Sequence, residues 1–221
     1  MTLEGTNTYV VGRDPAVVID PGPDDAGHIA KVRAAAEARG GIGAVLITHG
    51  HGDHTEGVKR LGVEPTPLSD GESHGPLTAL ATPGHAPDHL AFIAGKAAFV
   101  GDLIAGHGSS IVPSREHGGS LTQYMASLWK LLDLDLDLLY PGHGPEIDDP
   151  ATKIEEYIEH RRERDAKLIA ALESGERSRA ALLDAAWDDV PPELHGAAAI
   201  AMQAHLEKLA DEGRLPPDLT D

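Results

Sequence analysis

The run His49-Gly50-His51-Gly52-Asp53-His54 decides how the rest of the chain is read. Histidines two apart on an extended segment point the same way, so His49 and His51 can grip one ion together. Asp53 and His54, in the turn that follows, can reach a second. Just ahead lies Ala44-Val45-Leu46-Ile47, a short apolar run typical of a buried strand, which delivers Thr48 and the cluster at its C-terminal end. Two divalent ions roughly 3.5–4 Å apart can clamp both the attacking and the leaving oxygen of a hydrolysis. Holding them takes about six or seven imidazole and carboxylate ligands, converging from strand ends onto one edge of a sheet.

Outward from the cluster the same pattern recurs. Strand-like stretches at 79–82, 97–100 and 136–140 run into Pro83-Gly84-His85, Gly101-Asp102 and Pro141-Gly142-His143-Gly144. A glycine ahead of each candidate lets the backbone turn sharply and approach an ion. His85, Asp102 and His143 therefore join the candidate ligands. A further strand is expected at 89–93, and a hairpin of 8–11 and 16–19 opens the chain and ends at Asp20-Pro21-Gly22-Pro23. Helices are expected at 28–39, stopped by Gly40-Gly41, and at 121–132. From Pro150 the character changes to helices alone, at 151–173, 179–187 and 197–212. The expected domains are thus 1–149 and a small helical module, 150–221.

Composition narrows the chemistry. The 221 residues include no cysteine, so there are no disulfides or thiolate ligands, and imidazole and carboxylate must hold any metal. The formal charge of -18 argues against a broad basic face for duplex DNA or an anionic membrane. No apolar run nears the ~20 residues that span a bilayer. Residues 1–12 carry no secretion signal, which makes the cytoplasm the expected location.

Other residues read more plainly. Asp88 and His89 either orient a ligand or cap the turn into the next strand, and His107, Ser109 and Ser110 either touch substrate or fill a Gly-rich loop. Arg161, Arg162 and Arg164 alternate with Glu159, Glu163 and Asp165, which predicts a solvated helix face in preference to an anion-binding strip. His28, His74, His195 and His205 lack supporting context and are expected at the surface.

The series THGHGDH, TPGH, GD and YPGHG resembles the metallo-β-lactamase superfamily. That resemblance implies an α+β class, the αββα sandwich with a metal site at one edge. It also implies that His49, His51 and His85 bind one metal, Asp53, His54 and His143 the other, and that Asp102 bridges them. Lack of cysteine sets the chain apart from the thiolate-containing antibiotic-degrading members and beside the glyoxalase-II-like and RNase-like branches. Thr2-Leu3-Glu4-Gly5-Thr6-Asn7-Thr8-Tyr9, the run TPGHAPDHL at 82–90, residues 101–108, Tyr124-Met125-Ala126-Ser127-Leu128 and Tyr157-Ile158-Glu159-His160-Arg161 are similar to one branch in particular. It contains the lactamase-like endoribonuclease, beta-lactamase-like protein 2, whose relatives end in a winged-helix-like tail. In two places the chain departs from the pattern: relatives have residues ahead of the GTNTY element, and Glu56 stands where many have Gly or Ser.

The implied reaction is hydrolysis of an ester, thioester, lactone or related small molecule. Water is activated between two zinc ions, and Asp53 is the candidate to protonate the leaving group. Manganese and iron also suit the donors. Two alternatives stay open: cleavage of single-stranded RNA, and a mononuclear-iron persulfide dioxygenase. The 150–221 module carries nine basic and sixteen acidic residues, so duplex DNA is not its expected partner, and substrate access or a homodimer contact is.

Overall fold

Strand β2 (Ala16–Ile19) is apolar and buried at every position, as a strand covered on both faces must be. The structure, a computed structural model, describes residues 5–220, so Thr2, Leu3 and Glu4 of the opening motif lie outside the described residues. The described residues divide into two compact units. One comprises those up to Thr82 with Asp88–Ser110 and Leu134–Pro150. The other comprises Pro83–Pro87, Ile111–Asp133 and those from Ala151 onward.

In the first unit, β1 (Tyr9–Val11) pairs antiparallel with β2, and β2 pairs parallel with β3 (Ile42–Leu46). A second sheet has the order β4 (Ser73–His74), β5 (Leu77–Ala81), β6 (Leu90–Ala94), β7 (Ala97–Gly101), β8 (Leu138–Pro141). Its neighbours are antiparallel except for β7 and β8, which run parallel. Alternation along the strands sorts the core. Val17, Ile19, Ala44 and Leu46 meet Leu77, Ala79, Phe92 and Phe99 between the sheets. Val18 and Val45 point the other way, onto Ile29 and Val32 of α1 (Ala26–Glu37) and Leu61 of α3 (Gly57–Leu61). The Asp25 carboxylate caps α1 by accepting from the His28 amide at 2.6 Å. Reading the sequence missed β4 and the short helices α2 (Gly52–Thr55) and α3, each too brief to show a period.

The second unit holds α4 (Leu121–Leu132), α5 (Pro150–Glu173), α6 (Arg179–Ala186) and α7 (His195–Asp211). Its core packs Leu168 and Leu172 of α5 with Leu182, Trp187, Met202, Leu206 and Leu209. Two expectations fail here. Arg161 and Arg164 are buried, 4% and 5% exposed, so they do not form a solvated face; Arg164 donates to both Asp189 oxygens, at 2.6 and 2.9 Å. His205, expected at the surface, is 1% exposed, and its Nδ1 lies 2.6 Å from Asp165. For Arg164 and His205 a charged partner on another segment makes burial tolerable. Among the described residues no helix is long and apolar enough to cross a membrane.

Candidate metal centre

Parallel pairing sends two neighbouring strands out at the same edge, and the first unit has two such pairs. Strands β2 and β3 end together, so Asp20 and Thr48 are neighbours. Strands β7 and β8 end together, so Asp102 and His143 are neighbours, and the Gly142 amide donates to the Gly101 carbonyl at 2.8 Å. The Leu90 amide donates to the Thr48 carbonyl at 2.7 Å, which ties the two sheets at this edge. The approach is close enough to require glycine: a Cβ at Gly142 would stand 2.5 Å from Asp102 Oδ1 and 2.8 Å from His54 Cε1.

Each histidine of the cluster is aimed by its neighbours. The Asp20 carboxylate accepts from the Thr48 amide and hydroxyl, both at 2.7 Å, and from His54 Nδ1 at 2.9 Å. The Thr48 hydroxyl oxygen, its proton committed to Asp20, faces His49 Nδ1 at 3.1 Å. His143 Nδ1 lies 3.0 Å from the Gly5 carbonyl, which can only accept. In all three rings Nδ1 is thus held as a donor, which leaves Nε2 as the lone-pair atom. His51 is the exception: its Nδ1 sits 2.9 Å from His49 Nε2, so those two nitrogens face the same space. His89, buried, lies 2.8 Å from the Thr82 hydroxyl through Nδ1 and stacks on His49 with centroids 5.2 Å apart.

The Nε2 atoms of His54 and His143 each lie 3.3 Å from Asp102 Oδ1. Asp53 Oδ2 is 3.3 Å from His143 Nε2 and 3.8 Å from His54 Nε2. Donors about 2.0–2.1 Å from a tetrahedral ion stand roughly 3.3–3.4 Å apart, so these spacings suit a shared cation. Two groups, His49–His54–Asp102 and Asp53–His54–His143, have all their donor atoms within 4.8 Å of one another. The electrostatics agree. Burial alone would push the His54 imidazole down, but Asp102 and Asp20 overcome it and raise it to about 9. Burial also opposes charge on His143, yet Asp102 and Asp53 raise it to about 10. Burial would lift the Asp102 carboxyl, but hydrogen bonds from His143 and His54 hold it far below the usual range. The hydrogen bond from His143 lowers Asp53 as well. Three carboxylates around two imidazoles concentrate negative charge that a cation, proton or metal, offsets. Nitrogen and oxygen donors without thiolate fit a divalent metal.

The remaining candidates separate. His85 belongs to the second unit, where its Nδ1 lies 2.8 Å from the Ile111 carbonyl, again leaving Nε2 as the lone-pair atom. Asp88 is exposed, beside Gly50. The Glu56 carboxylate folds back over Gly52 and lines a groove with Asp24, Thr55, Lys59 and Glu64. His107 is exposed, one residue beyond Gly106, whose amide donates to the His143 carbonyl at 2.8 Å. Sequence reading passed over Asp20, which looks like a turn residue. The available signal was an acid ending a strand as apolar as Ala16-Val17-Val18-Ile19.

Comparison with known proteins agrees with this geometry. The model of the Metallo-beta-lactamase superfamily matches residues 1–64 and 67–143, and that of the Beta-lactamase associated winged helix domain matches 178–215. The chain is 34% identical to Lactamase-like protein adaB of Aspergillus niger, over 97% of this chain and 78% of that one. It is 30% identical to the Beta-lactamase-like protein 2 homolog of Drosophila melanogaster, over 97% and 85%. To the Atrochrysone carboxyl ACP thioesterase of Aspergillus fumigatus it is 33% identical, over 100% and 72%. Among solved structures, metallo-beta-lactamase family protein TTHA1429 from Thermus thermophilus shares the fold, with a TM-score of 0.77, 22% identity, and 94% and 89% of the two chains covered.

Proposed function

From the premise that the chain belongs to the metallo-β-lactamase superfamily, we propose that it is a two-zinc hydrolase of a thioester or a related ester or lactone. The observation that carries this is His54 and Asp102 sharing a cluster with His49 on one side and Asp53 and His143 on the other. In this reading His49 and His51, with His85 from the family pattern, hold one ion, and Asp53, His54 and His143 hold the second. Asp102, with Oδ1 at 3.3 Å from both His54 and His143, would be the ligand shared by the two ions. When bound, the ions supply the Lewis acidity that makes water nucleophilic near neutral pH and draws charge from a carbonyl.

The protein's own groups do the rest. Asp20, Thr48 and Gly5 fix the rings, so little reorganisation accompanies reaction. Asp53 is the more open carboxylate, its side chain 28% exposed against 15% for Asp102, which supports it as the group that passes a proton to the leaving atom. The thioester preference rests on the relative named as a thioesterase, which aligns with this chain from end to end. A net charge of -18 disfavours a polyanionic substrate.

Elemental analysis joined to a substrate screen tests this. We expect about two zinc ions per chain and hydrolysis of acyl thioesters ahead of lactones, nitrocefin and single-stranded RNA. One iron per chain with persulfide oxidation would replace the hydrolase by a dioxygenase. RNA cleavage without thioester turnover would move the substrate class to RNA.

A further inference from the structure

From Gly5 to Tyr9 every residue touches a support of the same three ligands. The Gly5 carbonyl accepts from His143 Nδ1 at 3.0 Å, and the Thr6 hydroxyl donates to Asp53 Oδ2 at 3.4 Å. The Asn7 amide N–H donates to the Gly142 carbonyl at 2.7 Å, and its side chain donates to the carbonyls of Pro141 and Gly144, at 3.0 and 2.7 Å. The Thr8 hydroxyl donates to the Asp20 carbonyl at 2.6 Å, and Asp20 in turn aims His54. The Tyr9 hydroxyl donates to the Pro141 carbonyl at 2.7 Å. Asn7 and Tyr9 thus hold the loop that carries His143, Asn7 on both sides of the ligand.

A ligand on a turn such as 141–144 loses its aim when the turn can shift by a few tenths of an ångström. Asn7 closes that turn with three hydrogen bonds from one residue, so it is the main fastening. Thr6 acts on a half-open carboxylate through a long, weak hydrogen bond, and its effect is the smaller. We propose that Gly5–Tyr9 is the positioning element of the ion position built from Asp53, His54 and His143, with Asn7 and Thr6 as its positioning residues. This rests on the two-metal reading above. Its consequence is that the turn carrying His143 has a support of its own, through which one ion can be loosened alone.

Chelator competition on the zinc-loaded protein reads each ion's affinity without recourse to turnover. In Asn7→Ala one of two ions should weaken by about 10–100-fold, while the other keeps its affinity. Thr6→Val should weaken the same ion by about five-fold, and Thr6→Ser should restore it. Should Asn7→Ala fail to fold, the Thr6→Val and Thr6→Ser pair carries the test alone. Equal weakening of both ions, or unchanged affinities in a protein holding two, overturns the positioning element by itself. A wild-type protein that binds a single ion overturns the two-metal reading and this inference together.

Discussion

Two buried histidine–aspartate pairs, one in each unit, behave in opposite ways. At the sheet edge His54 Nδ1 lies 2.9 Å from Asp20; in the helical unit His205 Nδ1 lies 2.6 Å from Asp165. Around His205 the charges are matched. Lys208 takes the second Asp165 oxygen at 2.8 Å, and the ring stands edge-on to Trp187, with centroids 5.6 Å apart. Burial prevails there, and the imidazole is pushed down. Around His54 three carboxylates gather instead, Asp20, Asp53 and Asp102, and the imidazole is raised to about 9. A histidine–aspartate pair alone therefore says nothing about function. What matters is whether further carboxylates surround the imidazole, as at His54, or burial and the nearby Arg161 and Lys208 outweigh a single one, as at His205.

The sharpest way to break the comparison is to remove one carboxylate from each side. Asp102→Ala should drop metal content from two ions to fewer than one and cut turnover on the order of 10³-fold or more. Asp165→Ala should leave metal content unchanged and destabilise the fold by about 3 kcal/mol, because it leaves a buried imidazole without its carboxylate and Lys208 with Glu212 alone. Metal analysis and thermal melts on both variants decide the matter. Equal loss of metal in the two would erase the distinction.

A smaller effect is expected of Asp20→Asn, which keeps the shape and an oxygen for His54 but removes a charge. Zinc affinity should fall about ten-fold, and the metal-free protein should melt lower as well, because an amide nitrogen would replace one of the two buried oxygens that accept from Thr48 and His54. An unchanged affinity would show that the orientation of the ring alone suffices.

The smallest effect is a pH dependence on the helical side. Burial, with Arg161, Arg164 and His205 nearby, lowers His160 to about 4 against an unfolded value of about 6.5. Below pH 6.5 the unfolded chain binds a proton that the folded chain refuses. Stability from this group is therefore complete above about 6.5 and declines as pH falls toward 4. Melting curves of His160→Gln should decline less over that window, and parallel curves for the two proteins would remove His160 from the account.

The candidate ligands were legible because they come in short motifs: His49 to His54, then His85, Asp102 and His143, each just past an apolar run. Asp20 was not legible, because its partner Thr48 is 28 residues away and only the parallel pairing of β2 and β3 brings them together. Hydrogen bonds from Asn7 to residues 141–144 were hidden for the same reason, separation along the chain. Arg161 and Asp165 were misread although the signal was present. Ile154, Ile158, Leu168 and Leu172 leave a gap on the α5 stripe that positions 161 and 165 fill at spacings of three and four. Their charge outweighed their phase in the reading, and for Asp165 the fold resolved the conflict with His205 and Lys208 from α7.

The parallel strand pairs also leave the far ends of the sheets to plain turns. Residues 12–15, between β1 and β2, are exposed and lie about a strand's length, roughly 13–16 Å, from Asp20. Because the chain has no cysteine, Arg13→Cys would create a unique thiol there. A fluorophore or a surface tether attached at that point would sit too far away to compete for the ions. Tethered this way, every molecule would present its candidate metal-binding edge to solution in the same orientation.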